Sequence, residues 1–175
     1  LEVQRLVKTE LCQFCLRSGM LCPKCKKKLE KGEVSELDLE IGRLLVSMEE
    51  EYPPLQNVYF HKAVESDGVV AIFVSRGDIA KILSYGGKII KSVERDTKKT
   101  VRVLESNSDE RKFLEDLFAP MTILTVNRIW LPDGSTETRV ILKGSERRRT
   151  TRYINALREI ASKAQGLSLR VEFAA

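Results

Sequence analysis

From residue 35 onward the apolar positions of this chain switch between two periods. Leu37, Ile41, Leu44, Leu45 and Met48 recur at spacings of three and four, which places them on one face of a helix. Ser35 or Asp38 caps its start, and Tyr52-Pro53-Pro54 ends it. Residues 58–64 then read as a strand, Ser66-Asp67-Gly68 as a hairpin turn, and Val69 to Val74 as a second, largely buried strand. A short helix over 77–83, a kink at Ser84-Tyr85-Gly86-Gly87, a helix over 88–96 and a strand over 100–104 complete the set. The predicted order is helix, strand, strand, helix, helix, strand.

The second half repeats the outline. Residues 109–118 form a short helix with Phe113, Leu117 and Phe118 as apolar contacts, and 122–130 with 137–142 form a hairpin around Leu131-Pro132-Asp133-Gly134. One longer helix, 147–164, carries Ile154, Leu157, Ile160 and Ala161 on one face, and 167–173 alternates as a closing strand. Here the two helices of the first half are fused into one. Trp130 and Tyr153 read as packing residues rather than stacking platforms. Charge follows the same repeat: net −5 over 36–55 then +3 over 56–105, and net −2 over 106–119 then +5 over 120–175.

At 175 residues, 42% hydrophobic and 31% charged, the chain has room for one ordinary domain, or two small ones with a short appendage. No apolar stretch approaches the length of a membrane span and no leader is seen at Leu1, so a cytoplasmic protein is expected. The single histidine, His61, sits in a strand-like run and reads as a packed or edge residue. That removes multi-histidine metal catalysis and Ser-His-Asp chemistry, and no isolated carboxylate pair replaces them. The chain is not expected to be an enzyme.

The four cysteines do suggest chemistry. Cys12 and Cys15, then Cys22 and Cys25, form two C-x-x-C pairs separated by six residues, the full ligand set of a tetrahedral structural zinc. Gly19 relieves the tight return between them. An iron–sulfur cluster or two disulfides would use the same residues, but nothing else in the chain suggests redox chemistry or secretion. One Zn(2+) per chain is expected, and chelating it should loosen residues 1–30 while sparing the rest. The basic run after it, with Lys26, Lys27 and Lys28 at its centre, is either a phosphate-contacting arm or a solvated connector.

The stretch from Ile79 to Asp96, with its loop Ser84-Tyr85-Gly86-Gly87 between two short helices, resembles the core of a KH domain. The element order over 36–105 is similar to the type II KH arrangement of bacterial and archaeal proteins, among them NusA and ribosomal proteins. In that family a G-x-x-G loop between helix ends lets a nucleic-acid backbone approach backbone N–H groups, aided by the following helix dipole. The resemblance implies RNA contact at Ser84, Tyr85, Gly86 and Gly87, with Lys81, Lys88 and Lys91 supplying charge. Ser84 stands in place of the first glycine, and Tyr85 where Lys or Arg is common. A KH scaffold turned to protein binding is the other reading. The second half resembles a degenerate second KH copy with no such loop. In its place Arg147, Arg148, Arg149 and Arg152 cluster at a helix start, where the macrodipole disfavours cations. They read as RNA contacts or as a solvated face.

The sequence therefore predicts an α+β protein: a zinc module over 1–34, a type II KH domain over 35–106 and a degenerate KH-like domain over 107–175. Its expected role is non-catalytic binding of ribosomal or nascent RNA, with the ribosome or RNA polymerase as wider partner and neither membrane nor small-molecule substrate. The alternatives are a protein-interaction adaptor docking through the zinc module, or the recognition subunit of an RNA-processing enzyme.

Overall fold

The computed structural model describes residues 6–145 and 149–175. It is an α+β structure with seven α-helices and two sheets among the described residues. The chain clusters into two compact units, one comprising the residues up to Ala63 with Ile72–Ser106, the other Val64–Ala71 with Asn107–Ala175.

The first unit opens with a two-residue strand β1 (Lys8–Thr9) and two short helices, α1 (Gln13–Ser18) and α2 (Pro23–Glu30). Then follow α3 (Glu36–Met48), β2 (Tyr59–Ser66), β3 (Val69–Val74), α4 (Asp78–Ile82), α5 (Lys88–Thr97) and β4 (Thr100–Glu105), with the hairpin tip Val64–Ala71, Asp67 included, clustering with the second unit. These elements fall close to the pattern read from the sequence. β1, α1 and α2 were not foreseen, because segments this short carry no periodic signal.

Both cap candidates of α3 are used. The Ser35 hydroxyl accepts from the Asp38 amide, and the Asp38 carboxylate accepts from the Ser35 amide, a capping box. The other Asp38 oxygen accepts from the Ala63 N–H at 2.7 Å, so one buried carboxylate ties α3 to β2. The strands are ordered β1-β2-β3-β4, and β1 runs parallel to β2 with Lys8 opposite Tyr59. β3 is buried at every position, as a central strand covered on both faces requires. The core of this unit also holds Ile41, Leu45, Phe60, Ile82, Ile89 and Leu104, each nearly or fully buried, at about 1.5–3 kcal/mol of burial for each such side chain.

The second unit holds α6 (Glu110–Phe118), β5 (Ile123–Trp130), β6 (Thr136–Leu142), α7 (Thr151–Gln165) and β7 (Leu169–Phe173). β5 and β6 are antiparallel with Val126 opposite Val140; β7 returns parallel to β6 after α7, with Val171 opposite Val140. Thr138, Val140 and Leu142 alternate onto the buried face, against Phe113, Leu117, Leu157 and Ile160. Arg139 and Arg170 lie on the other face and pair across strands with Glu172 and Glu137. α7 begins at Thr151 with Thr150 as its cap, later than the sequence pattern suggested. Arg147 and Arg148 lie outside the described residues.

Candidate functional site

Two places gather the residues singled out above. In the first, each C-x-x-C pair straddles a helix start: Cys12 is the N-cap of α1 and Cys22 the N-cap of α2, so Cys15 and Cys25 stand three residues on, in the first turn. The Cys25 N–H points at the Cys22 sulfur at 3.4 Å, the place a serine oxygen takes in an ordinary cap. The Cys22 N–H reaches Cys15 Sγ at 3.1 Å and the Cys12 N–H reaches Cys25 Sγ at 3.5 Å. Amide donors and two helix N-termini thus face the sulfurs, and both favour thiolate. The Cys22 thiol is lowered to about 6, chiefly by the Cys25 N–H. Burial pushes Cys15 up to about 12.

All four sulfurs lie within 4.8 Å of one another. From Cys12 Sγ the distances are 3.2 Å to Cys15, 3.9 Å to Cys22 and 3.7 Å to Cys25. A disulfide needs about 2.05 Å, and all four cysteines are free. Zinc–sulfur bonds of about 2.3 Å at tetrahedral angles separate sulfurs by about 3.8 Å. The four cysteines are close enough to share one metal ion, and an all-thiolate set suits zinc.

This module is fastened to the rest of its unit. Arg17 pairs with Glu49, a buried carboxylate at the end of α3 whose other oxygen accepts from the Val7 N–H at 2.9 Å. Arg43 on α3 donates to the Cys15 carbonyl at 3.3 Å. Leu16 packs so close to Gly42 that a Cβ there would stand 3.0 Å from its Cδ2, so glycine is what lets α1 seat on α3. Through these contacts, loosening of the module on chelation has a route into α3.

The second place is the turn between α4 and α5. Ser84 is extended, and Tyr85, Gly86 and Gly87 follow in the left-handed region with φ of 56°, 62° and 78°. Glycine tolerates that region; a Cβ on Gly86 or Gly87 would meet nothing within 4 Å, so the outer side of the turn is open. Gly87 is the N-cap of α5 and has no side chain, so the first-turn amides carry no side-chain cap. Lys88 and Lys91 are exposed on that first turn. Lys81 is differently placed: its ammonium is 2.7 Å from the buried Asp78, which also accepts from the Tyr59 N–H at 2.9 Å. The Tyr85 ring is half exposed and meets Tyr52 edge-on, with centroids 5.9 Å apart.

The remaining cations divide. Lys26 and Lys27 are exposed on α2, while Lys28 donates to the Glu10 carbonyl at 2.7 Å. Arg149 is exposed. Arg152 forms a two-pronged pair with Asp67, at 2.8 and 2.6 Å, an acid that lies 85 residues away in sequence. One reading changes. Trp130, taken as a packing residue, is 74% exposed at the end of β5. His61 has its Nε2 2.7 Å from Ser75 Oγ and its ring stacked on Tyr59.

No family model matches the chain. It is 32% identical over 72 residues to the Probable transcription termination protein NusA of Methanocaldococcus jannaschii, a match covering 41% of this chain and 39% of that protein. The chain thus spans well under half the length of that relative. In fold it is similar to the crystal structure of APE1850, with a TM-score of 0.51 at 19% identity over 75% of this chain and 96% of that one. No helix among the described residues is long and apolar enough to cross a membrane.

Proposed function

We propose that the protein binds RNA without catalysis, as a NusA-like factor with a zinc module over 1–34, a type II KH domain over 35–106 and a degenerate KH-like domain over 107–175. The observation that carries this reading is the open left-handed turn Tyr85-Gly86-Gly87 at the start of α5, with Lys88 and Lys91 on the adjoining turn. Backbone amides at a helix N-terminus, with no side chain between them and solvent, accept a phosphate. The likeness to a protein named for transcription termination favours a nascent transcript over ribosomal RNA. Zinc, when bound by Cys12, Cys15, Cys22 and Cys25, supplies structure: it neutralises thiolate charge and holds the starts of α1 and α2 together. Arg149 and Arg152 are further RNA contacts in this reading, Arg152 in exchange for its bond to Asp67.

Gly87→Asp tests it. The aspartate adds negative charge where the phosphate approaches, and Gly87→Asn makes the same demand on the backbone without the charge. RNA affinity measured by filter binding is expected to fall at least tenfold for Asp and much less for Asn, with both thermal midpoints lowered by a few degrees. Equal affinity for Asp, Asn and the parent would show that RNA binds elsewhere.

A second reading, an adaptor docking on RNA polymerase, is favoured by Phe14 and Met20, which are exposed on the cysteine module. Partners captured from extract that survive ribonuclease would support it.

A further inference from the structure

We infer that Tyr85 is a stacking platform for an unpaired RNA base beside the turn before α5, a contact that a glycine-rich loop alone does not supply. The inference rests on the reading of that turn as an RNA site and names what the site takes.

Three observations converge on this tyrosine. Its φ of 56° is one that a residue with a bulky Cβ substituent adopts only under strain, and glycine or asparagine would sit there with less. Strain of this kind persists where the side chain has a use. The ring is 51% exposed and held by one edge-on contact to the nearly buried Tyr52, which fixes its direction while leaving aromatic surface in solvent. The charge one turn earlier is already spoken for, because Lys81 is paired with Asp78 at 2.7 Å. The turn itself therefore offers a π surface and backbone amides, and the cations stand after it, at Lys88 and Lys91.

That division matches the two parts of a nucleotide. A phosphate at the start of α5 brings its own base or a neighbour within reach of a ring three residues before Lys88. Stacking on a side chain requires a base face not already covered by another base, which a duplex does not present. Leu83, 53% exposed beside the turn, extends the apolar surface for the same base. A protein partner would also use an exposed tyrosine and leucine, but it would not need amides and cations beside them.

The test uses the full chain and two labelled probes, an oligoadenylate of about ten nucleotides and a hairpin duplex, with binding read by fluorescence anisotropy. Tyr85→Phe keeps the ring and is expected to bind oligoadenylate within about threefold of the parent. Tyr85→Gly is expected to lose about tenfold, the usual worth of one stacked base. The slope of log affinity against log salt should not change, because no phosphate contact is removed. Its thermal midpoint should rise, since glycine relieves the strain, and that rise excludes misfolding as the cause. The duplex is expected to bind more weakly than oligoadenylate to the parent and equally to all three proteins. Parental affinity in Tyr85→Gly, a shallower salt slope, or a duplex bound as well as oligoadenylate would overturn the inference. If Tyr85→Gly binds normally while Gly87→Asp still loses affinity, only the stacking role falls. If neither variant loses affinity, the reading of the turn as an RNA site falls with it.

Discussion

The two units pass from a strand hairpin to a returning strand in different ways. In the first, two helices of five and ten residues are joined by a turn with three successive positive φ angles. In the second, one 15-residue helix starts at the Thr150 cap and runs unbroken to Gln165. A continuous helix satisfies its own amides and is what packing alone would select. The interrupted crossover gives up that economy and exposes a strained tyrosine, two open glycines and the start of α5. That departure from the simplest packing is why the turn, rather than α7, carries the proposed RNA site. The means of support differ too. The first unit leans on a four-cysteine centre bonded to the end of α3 through Arg17 and Glu49. Outside its core, the second relies on surface ion pairs such as Arg139 with Glu172 and Arg170 with Glu137.

Chelation is the strongest way to sharpen that contrast. Structural zinc in small domains is worth about 10–16 kcal/mol of apparent binding energy, far more than any single contact described above. Its removal is expected to expose amides in α1, α2 and β1. Through the Leu16–Gly42 contact and the Arg17–Glu49 bond, it should also expose amides in the second half of α3. Amides of β6 and α7 should keep their protection. Hydrogen exchange with and without a strong chelator reads both. Loosening confined to residues before 35 would mean that the anchoring contacts carry little. Equal loosening of both units would mean that they do not stand apart in stability.

The cysteine centre was legible in the sequence because its chemistry is local: ligands at spacings of two and six residues need no knowledge of the fold. The turn before α5 was legible for the same reason, since Gly86-Gly87 between two apolar-periodic segments is a breaker with a place. What joins distant segments was not. Nothing about Arg17 points to Glu49, which lies 32 residues on and is reached only because α1 lies on α3. Arg152 reads from the sequence as an RNA contact or part of a solvated face, while the fold supplies Asp67 from the tip of a hairpin. The short β1 owes its existence to the adjacent β2, not to its own two residues.

Trp130 shows the same limit and gives a test of intermediate size. Trp130 reads from the sequence as a packing residue, but β5 is an edge strand of its sheet and the ring is 74% exposed. Truncating a buried tryptophan costs about 3–5 kcal/mol, whereas an exposed one is expected to change stability by no more than about 0.5 kcal/mol. Trp130→Ala should therefore leave the thermal midpoint within a few degrees of the parent. As Trp130 is the chain's one tryptophan, its emission should lie where a water-exposed indole emits and be quenched readily by iodide. A blue-shifted, protected emission would show that the end of β5 is covered in solution, and the contrast drawn between the two units would need revision.

The smallest expected effect belongs to the bond between Arg152 and Asp67, and it decides whether surface pairs support the second unit. Both side chains are well exposed, at 74% and 48%, and exposed pairs contribute little and are screened by salt. The Arg152 guanidinium, hydrogen-bonded to the carboxylate, holds Asp67 below the usual carboxylate range. A depressed carboxylate stabilises the fold above its unfolded pKa of about 3.9 and ceases to do so as pH falls through the folded value. Asp67→Asn suits the turn, where φ is 40° and asparagine is readily accepted, and it removes only the charge. The variant should melt slightly below the parent at pH 7, and the gap should close as pH falls past the unfolded value and through the lowered folded one, or as salt reaches about 1 M. A gap that survives both conditions would belong to the turn rather than to the pair. The same variant frees Arg152, so if that arginine contacts RNA, affinity at low salt should rise a little; unchanged affinity would leave Arg152 with a structural role alone.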